Sequence, residues 1–220
     1  MSTATPRVDL TPLEAVGSRY PELRPMLDPL GTCAQALVAT LAAGGTLFVG
    51  GNGESMADAL AIASELKKSF GVPRPLRPEL AASLAGTPEG AELANRLVDG
   101  IRAITLGSDP LLTSAGAIDM SGDLVFAQEL VALGRAGDAL LLLTTSGHAQ
   151  NLVNAAVVAR ALGMGVAFIA WDSAATELTS LAHVVVHGPQ AHTVGDQHGQ
   201  RGAVYGTMCQ VIENSLFGTR

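Results

Sequence analysis

The chain has 220 residues, enough for one α/β domain with a sizeable core. Hydrophobic residues make up 48% and charged ones 15%, which excludes a disordered chain. The net charge of -7 comes without a basic run, which argues against non-specific nucleic-acid binding.

Aromatics are only 4%, while Ala, Leu, Val and Gly are plentiful, a mix that suits parallel strands between Ala-rich helices. Cys33 and Cys209 stand in apolar helical contexts with no CxxC or Cys/His spacing, so reduced core thiols are expected and a zinc site is not. Met1 to Leu10 lacks the apolar core of a signal peptide, and no window reaches the roughly 18 apolar residues of a membrane span. A cytoplasmic protein is expected.

Residues 1–9 read as a loose polar lead-in. Thr11-Pro12-Leu13-Glu14 predicts a helix start, with Thr11 as cap, Pro12 in the first position and Glu14 placed for a capping box. Pro21 and Pro25 interrupt the chain beyond it. A longer helix is expected from about Pro29 to Ala43, with Leu30, Cys33, Leu37 and Leu41 on one face, stopped by Gly44-Gly45.

Thr46 to Val49 is a short apolar run, read as a buried strand. Gly50-Gly51-Asn52-Gly53 then turns the chain sharply, and Ser55 to Leu66 reads as a helix rich in Ala and Leu. Strand, glycine turn and helix N-terminus together favour an anion, because free N–H groups and the dipole point at one spot. Met56 stands where a dinucleotide fingerprint needs its third Gly, and no Lys follows as in a Walker loop. Ser55 at the helix mouth suits a phosphate monoester; a plain tight turn with a Ser near the cap is the competing reading.

Residues 71–78 carry three prolines and two arginines and read as a loop, followed by short helices near 79–84 and 88–98. The segment from about 71 to 100 is an insertion between the first two strands. Ile101 to Leu106 is the second strand, Asp109 to Ala117 and Gly122 to Leu133 are helices, and Asp138 to Leu143 is the third strand. That strand runs into Thr144-Thr145-Ser146-Gly147, a second turn with three hydroxyls in a row. A helix from His148 to Leu162, a strand from Val166 to Trp171, a helix from Thr176 to Leu181, a strand from His183 to Val186 and a last helix from Gln197 to Leu216 complete the chain.

Strands alternating with helices predict a parallel sheet covered on both faces, with ligands at the carboxyl ends of the strands. The Ser55 turn and the Thr144-Thr145-Ser146 turn should then face each other across one crevice, a stronger phosphate signal than either alone.

Gly-Asn-Gly-x-Ser at 51–55, Glu65, Thr-Thr-Ser-Gly at 144–147 and the Gly-Asp-Ala-Leu before it resemble the SIS (sugar isomerase) domain, and within it the phosphoheptose isomerase branch. The resemblance covers about residues 30 to 217. It implies residues 1–28 as an N-terminal segment and helix, and residues 29–220 as the SIS domain with its insertion. The implied fold is flavodoxin-like: a three-layer α/β/α sandwich on a five-stranded parallel sheet of order 2-1-3-4-5.

The resemblance also implies roles. Ser55, Thr144, Thr145 and Ser146 would hold the phosphate, Asn52 and Gly53 would shape the sugar site, and Asp119 would contact sugar hydroxyls. Glu65 would be the general base that moves a proton between C1 and C2 through an enediol. A homotetramer with sites completed by neighbouring subunits is implied, and zinc is frequent in the family. Here the chain departs: Ala61 stands where the family has a metal-binding His, and alignment through Gln210-Val211-Ile212-Glu213 puts His198 and Gly206 where it has a Gln and its acid His. A one-residue shift puts Gln197 and Tyr205 there instead.

His198, with an unperturbed pKa near neutrality, is the candidate acid; an exposed His in the polar stretch 192–201 is the alternative. Glu65 has its own alternative, a solvated Glu beside Lys67 and Lys68. His148 is read as a cap, with a substrate contact as the alternative, Asp196 as a cap or a sugar contact, and His187 and His192 as surface residues. Three functions stay open: an aldose–ketose isomerase acting on sedoheptulose 7-phosphate, a non-catalytic sugar-phosphate-binding or protein-interaction subunit, and an isomerase acting on another long-chain ketose phosphate.

Overall fold

The computed structural model describes residues 7–171, 176–189 and 194–218, without the side chains of residues 194 and 196. Five parallel strands form one sheet in the order β2-β1-β3-β4-β5. They are β1 (Leu47–Gly51), β2 (Ala103–Thr105), β3 (Ala139–Thr144), β4 (Gly165–Ala170) and β5 (Val184–His187). The expected order is therefore the observed one.

Before, between and after the strands run α1 (Thr11–Arg19), α2 (Arg24–Ala42), α3 (Glu54–Lys67), α4 (Pro78–Leu84), α5 (Pro88–Arg96), α6 (Pro110–Gly116), α7 (Val125–Leu133), α8 (Gln150–Ala161), α9 (Glu177–Leu181) and α10 (Val194–Phe217). Alternation along each strand divides the core into two layers. Leu47 and Val49 of β1, Leu141 and Leu143 of β3, and Ala167 and Ile169 of β4 pack against apolar residues of α1, α2, α3 and α10. Phe48, Leu140, Leu142, Val166 and Phe168 face the opposite way and pack against α7 and α8.

Two expectations near the N-terminus need correction. Thr11 is the first residue of α1 and caps nothing; Asp9 Oδ1, two residues upstream, accepts from the Thr11 N–H at 3.0 Å instead. The long helix starts at Arg24, not Pro29. Pro25 falls in its first turn, where a missing N–H costs nothing. Pro29 forfeits one bond inside the helix, and the buried face through Met26, Leu30, Cys33, Ala34 and Leu37 offsets it.

The sheet order positions the site. The chain leaves β1 toward β2 on one side, then crosses back to place β3 on the other side of β1. The connections from β1 and β3 thus diverge, which opens a crevice at their carboxyl ends. Gly51 pairs with Leu143 in register, so Asn52 follows one strand and Thr144 ends the other at the same level.

Candidate active site

The β1–α3 turn is built on glycine. Gly53, at the cap position of α3, has φ +55°, a conformation open to glycine at little cost. A Cβ on Gly51 would lie 2.7 Å from both Cβ and the carbonyl oxygen of Ser55, so the helix approaches the strand as closely as it does only because Gly51 has none. No side chain caps α3. Among the described residues no carboxylate or hydroxyl accepts from its first N–H groups, which suits an incoming anion.

The second turn lies alongside. Thr144 is buried, and its Oγ1 accepts from the Gly147 N–H at 3.0 Å, which closes the turn and fixes where Thr145 and Ser146 stand. Thr145 and Ser146 are exposed. The two turns are joined by a reciprocal amide pair: Asn52 Nδ2 donates to Asn151 Oδ1 at 2.9 Å and Asn151 Nδ2 donates to Asn52 Oδ1 at 2.8 Å. Asn52, Gly53, Ser55, Thr144, Thr145 and Ser146 thus gather at one end of the sheet.

Helix α10 supplies the third wall and runs alongside α3 in the same direction. His198 Nε2 meets Glu54 Oε2 at 2.8 Å, at the first residue of α3. Arg201 donates from Nη2 to Ser55 Oγ at 2.7 Å and from Nε to Asp58 Oδ2 at 2.8 Å. Farther along, the Glu65 carboxylate lies close enough to disfavour ionisation of Cys209, whose thiol burial already pushes up to about 12. Burial likewise lifts the Tyr205 phenol to about 12, and Trp171 Nε1 donates to its oxygen at 3.1 Å.

The charges here respond to their surroundings. Burial raises the Asp58 carboxyl above its ordinary range, against the pull of the Arg201 guanidinium. Glu54 goes the other way: its hydrogen bond to His198 and that ring's charge hold it low.

The remaining candidates are placed differently. Glu65 is the twelfth residue of α3, about 15 Å along the helix axis from Ser55 at 1.5 Å per residue. Its Oε2 pairs with Lys68 Nζ at 2.5 Å. His198 therefore stands at the Ser55 end of α3, and the structure does not bring it opposite Glu65 within one chain. Asp119 is exposed in the wide turn Ala117–Ser121, and no described hydrogen bond ties it to the two turns. His148 is exposed, and α8 has no side-chain cap, so His148 caps nothing. The Asp196 side chain and His192 lie outside the described residues.

The sequence pattern did not single out Arg201 or Asp58. Arg201 ends a polar stretch and reads as exposed there, yet it is 2% exposed. A signal existed: Arg201, Val204, Tyr205, Met208 and Ile212 share one helical stripe, and the last four are core residues.

Over 186 residues the chain is 30% identical to the phosphoheptose isomerase of Burkholderia pseudomallei, covering 84% of this chain and 81% of that one. The chain belongs to the phosphoheptose isomerase family. It is also 33% identical to the phosphoheptose isomerase of Pelodictyon phaeoclathratiforme over 169 residues, 75% of this chain and 69% of that one. No family model matches the chain. Among solved structures it is similar to phosphoheptose isomerase GmhA from Neisseria gonorrhoeae, with TM-score 0.67, 21% identity and 93% of each chain covered. A phosphoheptose isomerase from Francisella tularensis gives TM-score 0.69 at 22% identity, covering 92% of this chain and 98% of that one. At these identities the structural likeness is one of fold.

Among the described residues no three His, Cys, Asp or Glu side chains converge as a metal centre needs. Glu65 is paired with Lys68, and Ala61 stands one turn before it.

Proposed function

We propose that this chain interconverts sedoheptulose 7-phosphate and an aldose 7-phosphate through an enediol, as a cytoplasmic homotetramer. The phosphate sits between the N-terminus of α3 and the Thr144–Gly147 turn. Ser55, Thr144, Thr145 and Ser146 face it with hydroxyls, and Asn52 and Gly53 shape the entrance. Asp119 holds sugar hydroxyls.

The observation that carries this reading is the spacing along α3 in a chain of this family. The phosphate of such a sugar is at C7 and the reaction is at C1 and C2. Six carbon–carbon bonds of about 1.5 Å give about 9 Å of contour, and the phosphoryl group and two side chains add several more. Ser55 and Glu65, about 15 Å apart along one rigid helix, bracket a substrate of that length. A shorter sugar phosphate held at Ser55 would leave its carbonyl out of reach of Glu65.

Glu65 takes the proton from one carbon and returns it to the next. The carbonyl oxygen also needs a proton donor, and His198 stands at the phosphate end. A group from a neighbouring subunit supplies that proton in the tetramer.

A second reading, a sugar-phosphate-binding subunit without catalysis, is favoured by the Glu65–Lys68 ion pair, which occupies the base. Proton exchange at C1 or C2 of sedoheptulose 7-phosphate in heavy water, followed by NMR, separates the two. Exchange that vanishes in Glu65→Gln is the expected result. Binding of the sugar phosphate without exchange would overturn the isomerase reading.

A further inference from the structure

We propose that Arg201 is a positioning residue that aims the Ser55 hydroxyl at the phosphate and supplies the positive charge behind it. The inference rests on the proposed placement of the phosphate at the mouth of α3.

A serine oxygen has one proton and two lone pairs. Arg201 Nη2 donates to Ser55 Oγ at 2.7 Å, which occupies a lone pair and turns the Ser55 proton away from the guanidinium. That proton has no acceptor among the described residues, although Ser55 is only 4% exposed. Among the described residues the hydroxyl is therefore a buried donor without an acceptor, and a phosphate oxygen at the mouth of α3 would be one.

The charge arrangement points the same way. Arg201 places a buried guanidinium against the first turn of α3, the positive end of that helix. A cation there is unfavourable by itself, because the dipole favours anions at that end. Asp58 balances one charge through the Nε contact at 2.8 Å, and its own carboxyl is under strain from burial. Glu54, 4.0 Å from Arg201 Nη1, is exposed and held by His198. Asp58 holds the guanidinium in place and offsets part of its field, so the guanidinium, the helix end and the directed hydroxyl together favour an anion. If Arg201 is removed, Asp58 is left as a bare carboxylate beside that anion.

The two partners of this ion pair are thus unequal in function. As a mere strut, losing either side would do the same harm. As a phosphate-positioning device, losing the cation repels phosphate and losing the anion does not.

The experiment is calorimetric titration of inorganic phosphate into the full-length protein, with thermal melting recorded alongside, for wild type, Arg201→Met, Arg201→Lys, Asp58→Asn and Arg201→Met/Asp58→Asn. Arg201→Met should weaken phosphate about 10- to 100-fold, the worth of a charge-assisted hydrogen bond. Asp58→Asn should bind phosphate as tightly as wild type or more tightly, and the double variant should recover part of the loss. Arg201→Lys, which keeps the charge and loses the fork, should fall between wild type and Arg201→Met.

Equal weakening in Arg201→Met and Asp58→Asn, or unchanged phosphate affinity in a folded Arg201→Met, would overturn the proposal. So would a wild type that binds no phosphate. The predicted pattern without heavy-water exchange would keep this assignment and remove the isomerase reading; exchange with an affinity indifferent to Arg201 would do the reverse.

Discussion

Glu213 on α10 and Arg74 in the loop after α3 form a fully buried ion pair, with Arg74 Nε donating to Glu213 Oε1 at 2.6 Å. The same carboxylate accepts from the N–H groups of Phe70 at 2.7 Å, Gly71 at 2.5 Å and Val72 at 2.9 Å. Arg74 Nη1 donates to the Leu66 carbonyl at 2.7 Å. Burial opposes charge on Glu213, but the three N–H donors and Arg74 outweigh it and hold the carboxyl below its ordinary range. Glu213→Ala strands Arg74 and the three N–H groups, and should cost about 3–5 kcal/mol in urea denaturation. Since the folded-state value is depressed, this stability is present above the ordinary carboxylate range and is lost as pH falls through the lowered value.

Glu129 on α7 is the opposite case. Burial raises its carboxyl, although the Gly107 N–H donates to it at 2.7 Å. Its charge thus opposes folding near neutrality, and that penalty is relieved as pH falls toward the raised value. Glu129→Gln keeps an oxygen for Gly107 and removes the charge, so melting near pH 7 should show a variant as stable as wild type or more so.

Among the elements, α3 carries both Ser55 and Glu65 of the proposed site, and its approach to β1 is what a substitution at Gly51 would change. Gly51→Ala puts a Cβ 2.7 Å from the Ser55 backbone oxygen, which cannot move without shifting the helix. The expected outcome is a loss of about 1–3 kcal/mol by denaturation, together with weaker phosphate binding because Ser55 is displaced. The two turns are positioned by separate strands and meet through Asn52 and Asn151, 99 residues apart in sequence. Both turns were legible in the chain, since an apolar run ending in glycines and hydroxyls marks a strand-to-helix corner. Their joining by Asn151 was not, because an Asn at that place in a helix reads as a solvent-facing residue.

At the scale of the molecule, the two core layers account for the buried apolar residues, but some large ones stay outside. Leu111 is 77% exposed and Ile118 is 80% exposed, both on the segment after β2. Exposed apolar groups of this size on one segment mark a surface that another copy of the chain can cover. If the proposed tetramer uses this surface, Leu111→Asp combined with Ile118→Asp should lower the mass that sedimentation reports for wild type. A wild-type monomer would remove the neighbouring subunit from the proposed mechanism.

Local pattern determined the layers, the glycine turns and the position of Ser55 at a helix mouth, while the strand order was implied by the resemblance to the SIS fold. Those features arise from apolar periodicity and backbone conformational cost, which act over a few residues. The cap of α1 and the start of α2 at Arg24 escaped it, because an acceptor two residues upstream of Thr11 and a buried face outweighed the capping and proline signals. Only the tertiary structure decided that Arg201 reaches Ser55, that His198 sits on Glu54 and that Glu213 gathers the loop after α3. Each of those contacts joins residues more than 130 positions apart, and which residues meet depends on how α10 packs along α3.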